Sequence, residues 1–391
     1  MLELDTHPRT VSTPARPVAP ELRQAPSSPA ERRLPDLPVV LDFSVPPSLE
    51  AARPPEACGI GRDEVKLMVQ HRSSGEITHT RFNHLPEFLI PGDVLVLNTS
   101  GTLPAALAAY RQDGLPLELH LSSRLPNGRW SVELRRLEDG KNYPFTSARP
   151  SEVLSLPGGA EAALLYPLGR AGMEAPDGSL PVRLWEAELD LPQPLEAYLG
   201  RHGSPIRYPY IQGTWPLRYY QTVYATETGS AEMPSAGRAF SPELITRLAA
   251  GGIIFAPLLL HTGVASLEEH EPPYEEYYRV PEMTARLVND ALRDGRRVIA
   301  VGTTSVRALE TAANGRGVVR ASEGWTDLVI TPKRGLKVVN ALLTGLHEPR
   351  SSHLSLLAAL CSETQLRQSY AAALEKGYLW HEFGDLHLIL P

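Results

Sequence analysis

The chain reads as an α/β body carrying an inserted small antiparallel β-barrel domain. Three observations predict this. Apolar runs such as "GDVLVLNTS" (92–100), "IIFAPLLL" (253–260) and "VIAV" (298–301) suit strands buried on both faces of a sheet. Helical patterns follow or separate them. Between about 105 and 193 the texture changes to short alternating segments parted by Gly, Pro, Asn and Asp, the pattern of a barrel or sandwich.

The elements follow in order. Residues 1–38 hold eight prolines and no apolar period, so they cannot repay the entropy of ordering and are expected to form a disordered leader. The body is expected over 39–104 and 194–391. Within 105–193, "LPLELHLSS", "GRWSVELRRL" and "AALLYPL" predict the barrel strands. In "SPELITRLAAGG", Ser241 is a natural N-cap, Pro242 suits the first helical position and Gly251 the stop. "PEMTARLVNDALRDG" predicts an amphipathic helix that feeds the strand at 298–301.

Composition bounds the function. With 391 residues, 42% of them hydrophobic and 21% charged, the chain can bury more than one core. Cys58 and Cys361 are its only cysteines, which argues against a disulfide framework or a cysteine metal site. No apolar run reaches the roughly 18 residues that span a membrane, and a cytoplasmic protein is expected. A formal charge of −7 gives no global attraction to nucleic acid, so RNA contact requires a local basic patch. "GIGRDE" (59–64) follows no strand and lacks the third glycine of a dinucleotide loop. No Walker loop and no HExxH helix is present. His381, Asp385 and His387 are too loosely spaced for a metal site, and none is expected.

Three polar segments are candidates for chemistry. In "VIAVGTTSVRALE" (298–310), Thr303, Thr304 and Ser305 stand where a strand ends and a helix begins. Ligands in open α/β sheets gather at that place, and the helix N-terminus offers free N–H groups to an anion. The alternative is that one hydroxyl caps the helix and the others satisfy loop backbone. The second segment is "RYYQTVYATETGSAEMPSAGRAFSPEL" (218–244), a long polar and aromatic loop running into a helix. The third is "LLTGLHEPRSSHLSLLAAL" (342–360), where Thr344, His347, Arg350 and Ser351 precede an apolar helix.

Read together, "YQTVYA" (220–225), "PSAGRAF" (234–240), "LHTG" (260–263), "AVGTTSVRALE" (300–310), "GWTDLVITP" (324–332), "TGLHEP" (344–349) and "GDLHLIL" (384–390) stand in one order. Over roughly 40–391 the chain resembles the S-adenosylmethionine:tRNA ribosyltransferase-isomerases of queuosine biosynthesis. The resemblance implies an α/β body with an inserted barrel. It implies S-adenosylmethionine as a co-substrate rather than a resident cofactor, and tRNA, at its anticodon region, as partner. The ribose of the co-substrate moves to an aminomethyl-deazaguanine in the wobble position, adenine and methionine leave, and the sugar rearranges to an epoxycyclopentane. Such chemistry needs a base beside the acidified carbon next to the sulfonium, and donors for charge on the leaving groups. The resemblance assigns catalysis to His261, His347, Arg307, Thr303 and Thr304. It assigns co-substrate binding to Tyr220, Gln221, Thr222, Ser235, Gly237, Thr344 and Ser351, and Arg238 is expected to join them by its own charge.

The sequence departs from the family pattern at polar positions. Gly101 and Ala106 stand where the family has arginines, and Ala239 where it has a histidine, with Arg238 alongside. Val65 replaces a serine, Gly345 an asparagine and Tyr274 a histidine. A paralogue acting on another acceptor, or a nucleoside- or RNA-binding module that kept the scaffold, are therefore alternatives. Arg238 is expected to hold an anionic group of co-substrate or substrate, and His261 or His347 to take the proton.

Overall fold

The computed structural model describes residues 41–138, 141–168, 182–264 and 274–391. The predicted leader, 1–38, lies outside the described residues. The body opens with β1 (Lys66–His71), β2 (Ile77–Arg81), β3 (Val94–Asn98) and the short β4 (Ser100–Thr102). The chain then leaves for the barrel: β5 (Ala106–Tyr110), β6 (Pro116–Arg124), β7 (Trp130–Glu138), β8 (Lys141–Pro144), β9 (Val153–Leu156), β10 (Ala160–Pro167) and β11 (Leu184–Asp190). It returns through α1 (Leu195–His202), β12 (Glu227–Ser230), α2 (Ser235–Arg238) and α3 (Pro242–Ala250). The remainder is β13 (Ile254–Leu260), β14 (Glu276–Val280), α4 (Glu282–Arg293), β15 (Val298–Val301), α5 (Thr303–Ala312), β16 (Ser322–Thr326), β17 (Ala341–Gly345), α6 (Ser352–Ala358), α7 (Glu363–Glu375) and β18 (Leu386–Leu390).

The body sheet runs β16-β14-β13-β3-β15-β17-β18-β1-β2. Its centre, β13-β3-β15-β17, is parallel, and antiparallel strands flank it. Alternate residues of these strands feed two separate cores. Val94, Val96, Ala300 and Leu342 pack with Val288 of α4, Leu309 of α5, Leu354 of α6 and Tyr370 of α7. Leu95, Leu97, Val301 and Leu343 pack on the opposite face with Phe82, Ala236 of α2 and Leu244 of α3. Burial on both faces explains the unbroken apolar runs in the sequence.

In the inserted domain β11-β10-β9-β5-β6-β7 follow one another and β7 pairs back to β11, closing a six-stranded antiparallel barrel with β8 as an added edge. Inward residues such as Leu119, Val132, Leu154, Ala162 and Trp185 fill it, which is why its segments alternate. The barrel is bound to the body at several points. The Val264 N–H donates to Ser122 Oγ at 3.0 Å, and the Trp325 indole donates to the Arg124 carbonyl at 3.1 Å.

Local rules set the helix ends. Ser241 caps α3 by accepting from the Leu244 N–H at 3.1 Å, Pro242 opens the helix and Gly251 follows its last residue.

Candidate active site

The four parallel strands end together, at Asn98 of β3, Leu260 of β13, Val301 of β15 and Gly345 of β17. Gly302, the residue between β15 and α5, has φ +84°, a region that side chains other than glycine's disfavour. No side chain caps α5. Its first N–H groups therefore lack an internal partner and sit at the strand ends, where the helix dipole favours negative charge.

The three hydroxyls at that turn divide their work. Ser305 donates back to the Val301 carbonyl at 2.8 Å, a structural bond. Thr304 Oγ1 accepts from the Asn98 amide at 3.3 Å. Thr303 and Thr304 both line a cleft. Asn98, which no motif in the sequence marks, ties the strand ends together. Its amide donates to the Leu260 carbonyl at 2.8 Å, and its oxygen accepts the Leu260 N–H at 2.9 Å and the Ser100 N–H at 3.2 Å.

The cleft lies between barrel and body, opens to solvent and has a cavity volume of about 110 Å³. Ser122 and Ser123 come from the barrel. Thr262 and Gly263 follow β13, and Arg307 projects from α5. Leu328, Val329, Ile330, His353 and Leu356 supply the rest of the body wall. Arg307 is buried and held by three groups: the Glu276 carboxylate, the Leu328 carbonyl at 3.1 Å and the Thr326 carbonyl at 3.2 Å. Tyr274, at the position where the family pattern has histidine, is also on the wall.

The two expected histidines, His261 and His347, stand near this cleft without forming its wall. His347 is one ring behind. It stacks on His353 with centroids 4.5 Å apart and planes 2° apart, and its Nε2 meets Thr344 Oγ1 at 2.8 Å. Burial, with His353 and His387 nearby, holds its pKa well below that of free imidazole. His261 immediately precedes Thr262. Its Nδ1 is 2.8 Å from the Ser100 hydroxyl, which is 2.6 Å from that of Ser230, and its ring stacks on Tyr277. Burial also lowers the His261 pKa, against the opposing pull of Glu227.

The residues of the 218–244 loop take other places. Ser235 and Ala236 reach the strand ends from the opposite face of the sheet, beside Gly345 and Gly302. Gln221 grips Thr102, accepting its N–H at 2.9 Å and donating to its carbonyl at 2.8 Å. Tyr220 is buried against Phe383, and burial pushes its hydroxyl up to about 12. Thr222 is buried next to Gly237, where any Cβ would collide with the Tyr224 hydroxyl. Arg238 is 3% exposed, and the anion it holds is the protein's own Glu56, at 2.5 Å. It also donates to the Tyr219 carbonyl at 3.1 Å. Ser351 precedes α6 without capping it.

Three of the positions that depart from the family pattern are packed shut. Ala106 lies in the barrel core and Ala239 in the core under α2. At Gly101 a Cβ would already touch Thr228 at 3.3 Å. These sites exchange polar groups for close packing.

The sequence pattern of a family described as queuosine biosynthesis protein matches residues 40–389. A Moorella thermoacetica protein named S-adenosylmethionine:tRNA ribosyltransferase-isomerase is 38% identical over 362 residues, which cover 89% of this chain and 98% of that protein. One of the same name from Thermus thermophilus is 39% identical over 362 residues, with the same coverage. A crystal structure of S-adenosylmethionine tRNA ribosyltransferase from Thermotoga maritima aligns with a TM-score of 0.48 and 30% identity, covering 90% of this chain and 100% of that one.

Proposed function

The chain belongs to the queuosine biosynthesis family, and we infer that it is an S-adenosylmethionine:tRNA ribosyltransferase-isomerase, using S-adenosylmethionine as co-substrate and tRNA as acceptor. The observation that carries this reading, besides the family, is the meeting of Thr303, Thr304 and Arg307 at the carboxyl ends of the parallel strands, in a cleft closed on its other side by the barrel. That place suits a nucleoside ligand.

The finer roles follow from the chemistry. The acceptor is the aminomethyl group of a deazaguanine at the wobble position, so the anticodon arm enters the cleft mouth, and the protein works in the cytoplasm among its tRNAs. Positive sulfur acidifies the adjacent ribose carbon, and a neutral imidazole takes that proton. We assign this to His261, because it adjoins Thr262 of the cleft wall with no ring in between, because Ser100 meets its Nδ1 and because burial favours the uncharged ring. His347 is the alternative base and reaches the cleft only by way of His353. The N-terminus of α5 and the Thr303 and Thr304 hydroxyls offer donors to the amino-acid carboxylate and sugar oxygens. Arg307 supplies positive potential from the wall without being free to move, because Glu276 holds it.

The test is incubation with S-adenosylmethionine and tRNA bearing the aminomethyl base. Stoichiometric release of adenine and methionine, dependent on that tRNA, is expected. A second reading, the same co-substrate with a different acceptor, is favoured by Gly101, Ala106 and Ala239. Release that proceeds without the modified tRNA would select it.

A further inference from the structure

The cleft wall has two chemically distinct parts. Thr262, Thr303 and Arg307 are polar, whereas Leu328, Ile330 and Leu356 are apolar. His353 belongs with the second set. It stands three residues before Leu356 on α6, so the two side chains share a face of that helix. Its imidazole does not stand alone. It lies flat on His347, and His347 is fixed at three points: Thr344 Oγ1 at its Nε2, the Tyr370 hydroxyl accepting its backbone N–H at 3.2 Å, and the Trp380 indole donating to its carbonyl at 3.2 Å. The result is a two-ring shelf with a rigid base, bordered by branched apolar side chains.

We propose that this shelf seats the purine ring of S-adenosylmethionine, and that His353 is the residue that selects a heteroaromatic base there. The proposal rests on the functional reading above and deepens it. A base has a polarisable face and an edge of donors and acceptors. The Leu and Ile side chains match the face, and a neutral imidazole, with one N–H and one lone pair, matches both. His353 is kept neutral: burial first, then the nearby Arg307, holds its pKa down to about 4. An uncharged shelf also avoids placing a second cation beside the sulfonium. With the adenine on this side, the ribose and amino-acid parts extend toward Thr303, Thr304 and the start of α5.

The experiment is calorimetric titration of the full chain with S-adenosylhomocysteine, an unreactive thioether, and with adenosine, joined to steady-state kinetics. His353→Ala is expected to weaken both ligands at least tenfold and to raise KM for S-adenosylmethionine by a similar factor. KM for tRNA should stay within twofold. His353→Phe, which keeps a flat ring, should recover most of the affinity. If His353→Ala does not fold, His353→Gln is measured instead and should show the same loss. Affinity within twofold of wild type in a folded variant overturns the inference. So does a loss confined to the KM for tRNA, which would place the acceptor base on the shelf. If wild type releases adenine while His353→Ala binds normally, only this inference fails. A wild-type protein that neither binds S-adenosylhomocysteine nor releases adenine overturns the functional reading with it.

Discussion

Arg307 and Glu276, 31 residues apart in sequence, form a buried ion pair on the cleft wall, and the second Glu276 oxygen accepts the Gly263 N–H at 2.8 Å. One carboxylate thus joins α5 to the loop after β13. Removing one partner of such a pair leaves a buried charge uncompensated, at a cost of about 3–5 kcal/mol. Glu276→Ala is therefore expected to lower Tm by several degrees and to weaken co-substrate binding. The double variant Arg307→Ala/Glu276→Ala should lose less stability than the two single losses added together. Differential scanning calorimetry of the three variants checks this, and full additivity would show that the pair is not coupled.

The Asn98 amide makes a second such link. Its side chain replaces backbone bonds where β3 and β13 part, and it reaches Thr304 as well. Asn98→Ala strands the buried Leu260 N–H and carbonyl, at a cost of about 1–3 kcal/mol for each unsatisfied group. Lower Tm together with weaker S-adenosylhomocysteine binding is expected. An unchanged Tm would mean that water or neighbouring groups take over these bonds.

His261 carries the prediction about chemistry. If it takes the proton, His261→Gln should reduce kcat by about 10²–10⁴-fold with little change in KM for S-adenosylmethionine. The folded pKa is lowered below about 6.5, so the base is neutral at pH 7 and kcat/KM should be flat above it, falling only on the acid side. A variant with wild-type kcat moves the base to His347.

Several histidines make the fold acid-sensitive. Burial holds His387 at about pKa 3 and His381 at about 4, and neither His387 nitrogen has a hydrogen-bond partner. Between pH 6.5 and 4 the unfolded chain binds protons on these rings that the folded chain does not, so stability falls as pH falls. Replacing His387 by leucine removes one such ring and an unsatisfied polar group. Tm measured from pH 7 to 4.5 should decline less steeply in His387→Leu than in wild type. Parallel curves would show that His387 does not titrate on unfolding.

Much of this architecture was legible because each signal was local. The alternation from Leu115 to Leu168 follows from barrel strands with one wet face, and the Ser241–Pro242–Gly251 boundaries follow from chain-end hydrogen bonding. The turn at 302–305 could be located, but its three hydroxyls read alike. Only the fold separates Ser305, bonded to Val301, from Thr303, on the cleft. What stayed hidden depends on pairings across the chain. Arg238 meets Glu56 from 182 residues away, and Asn98 meets Leu260 across 162. His353 lay in plain view within "SSHLSLL". Its position on the wall, in front of His347, depends on how α6 docks, which no spacing rule encodes.

In the proposed reaction the ribosyl group, not the methyl group, leaves S-adenosylmethionine for tRNA. Two preparations of the co-substrate, one labelled in the ribose carbons and one in the S-methyl group, test it directly with tRNA bearing the aminomethyl base. Ribose label is predicted to enter the tRNA, one per modified base, while methyl label leaves with methionine. Methyl label in the tRNA, or no transfer of either label, would rule out ribosyl transfer by this protein.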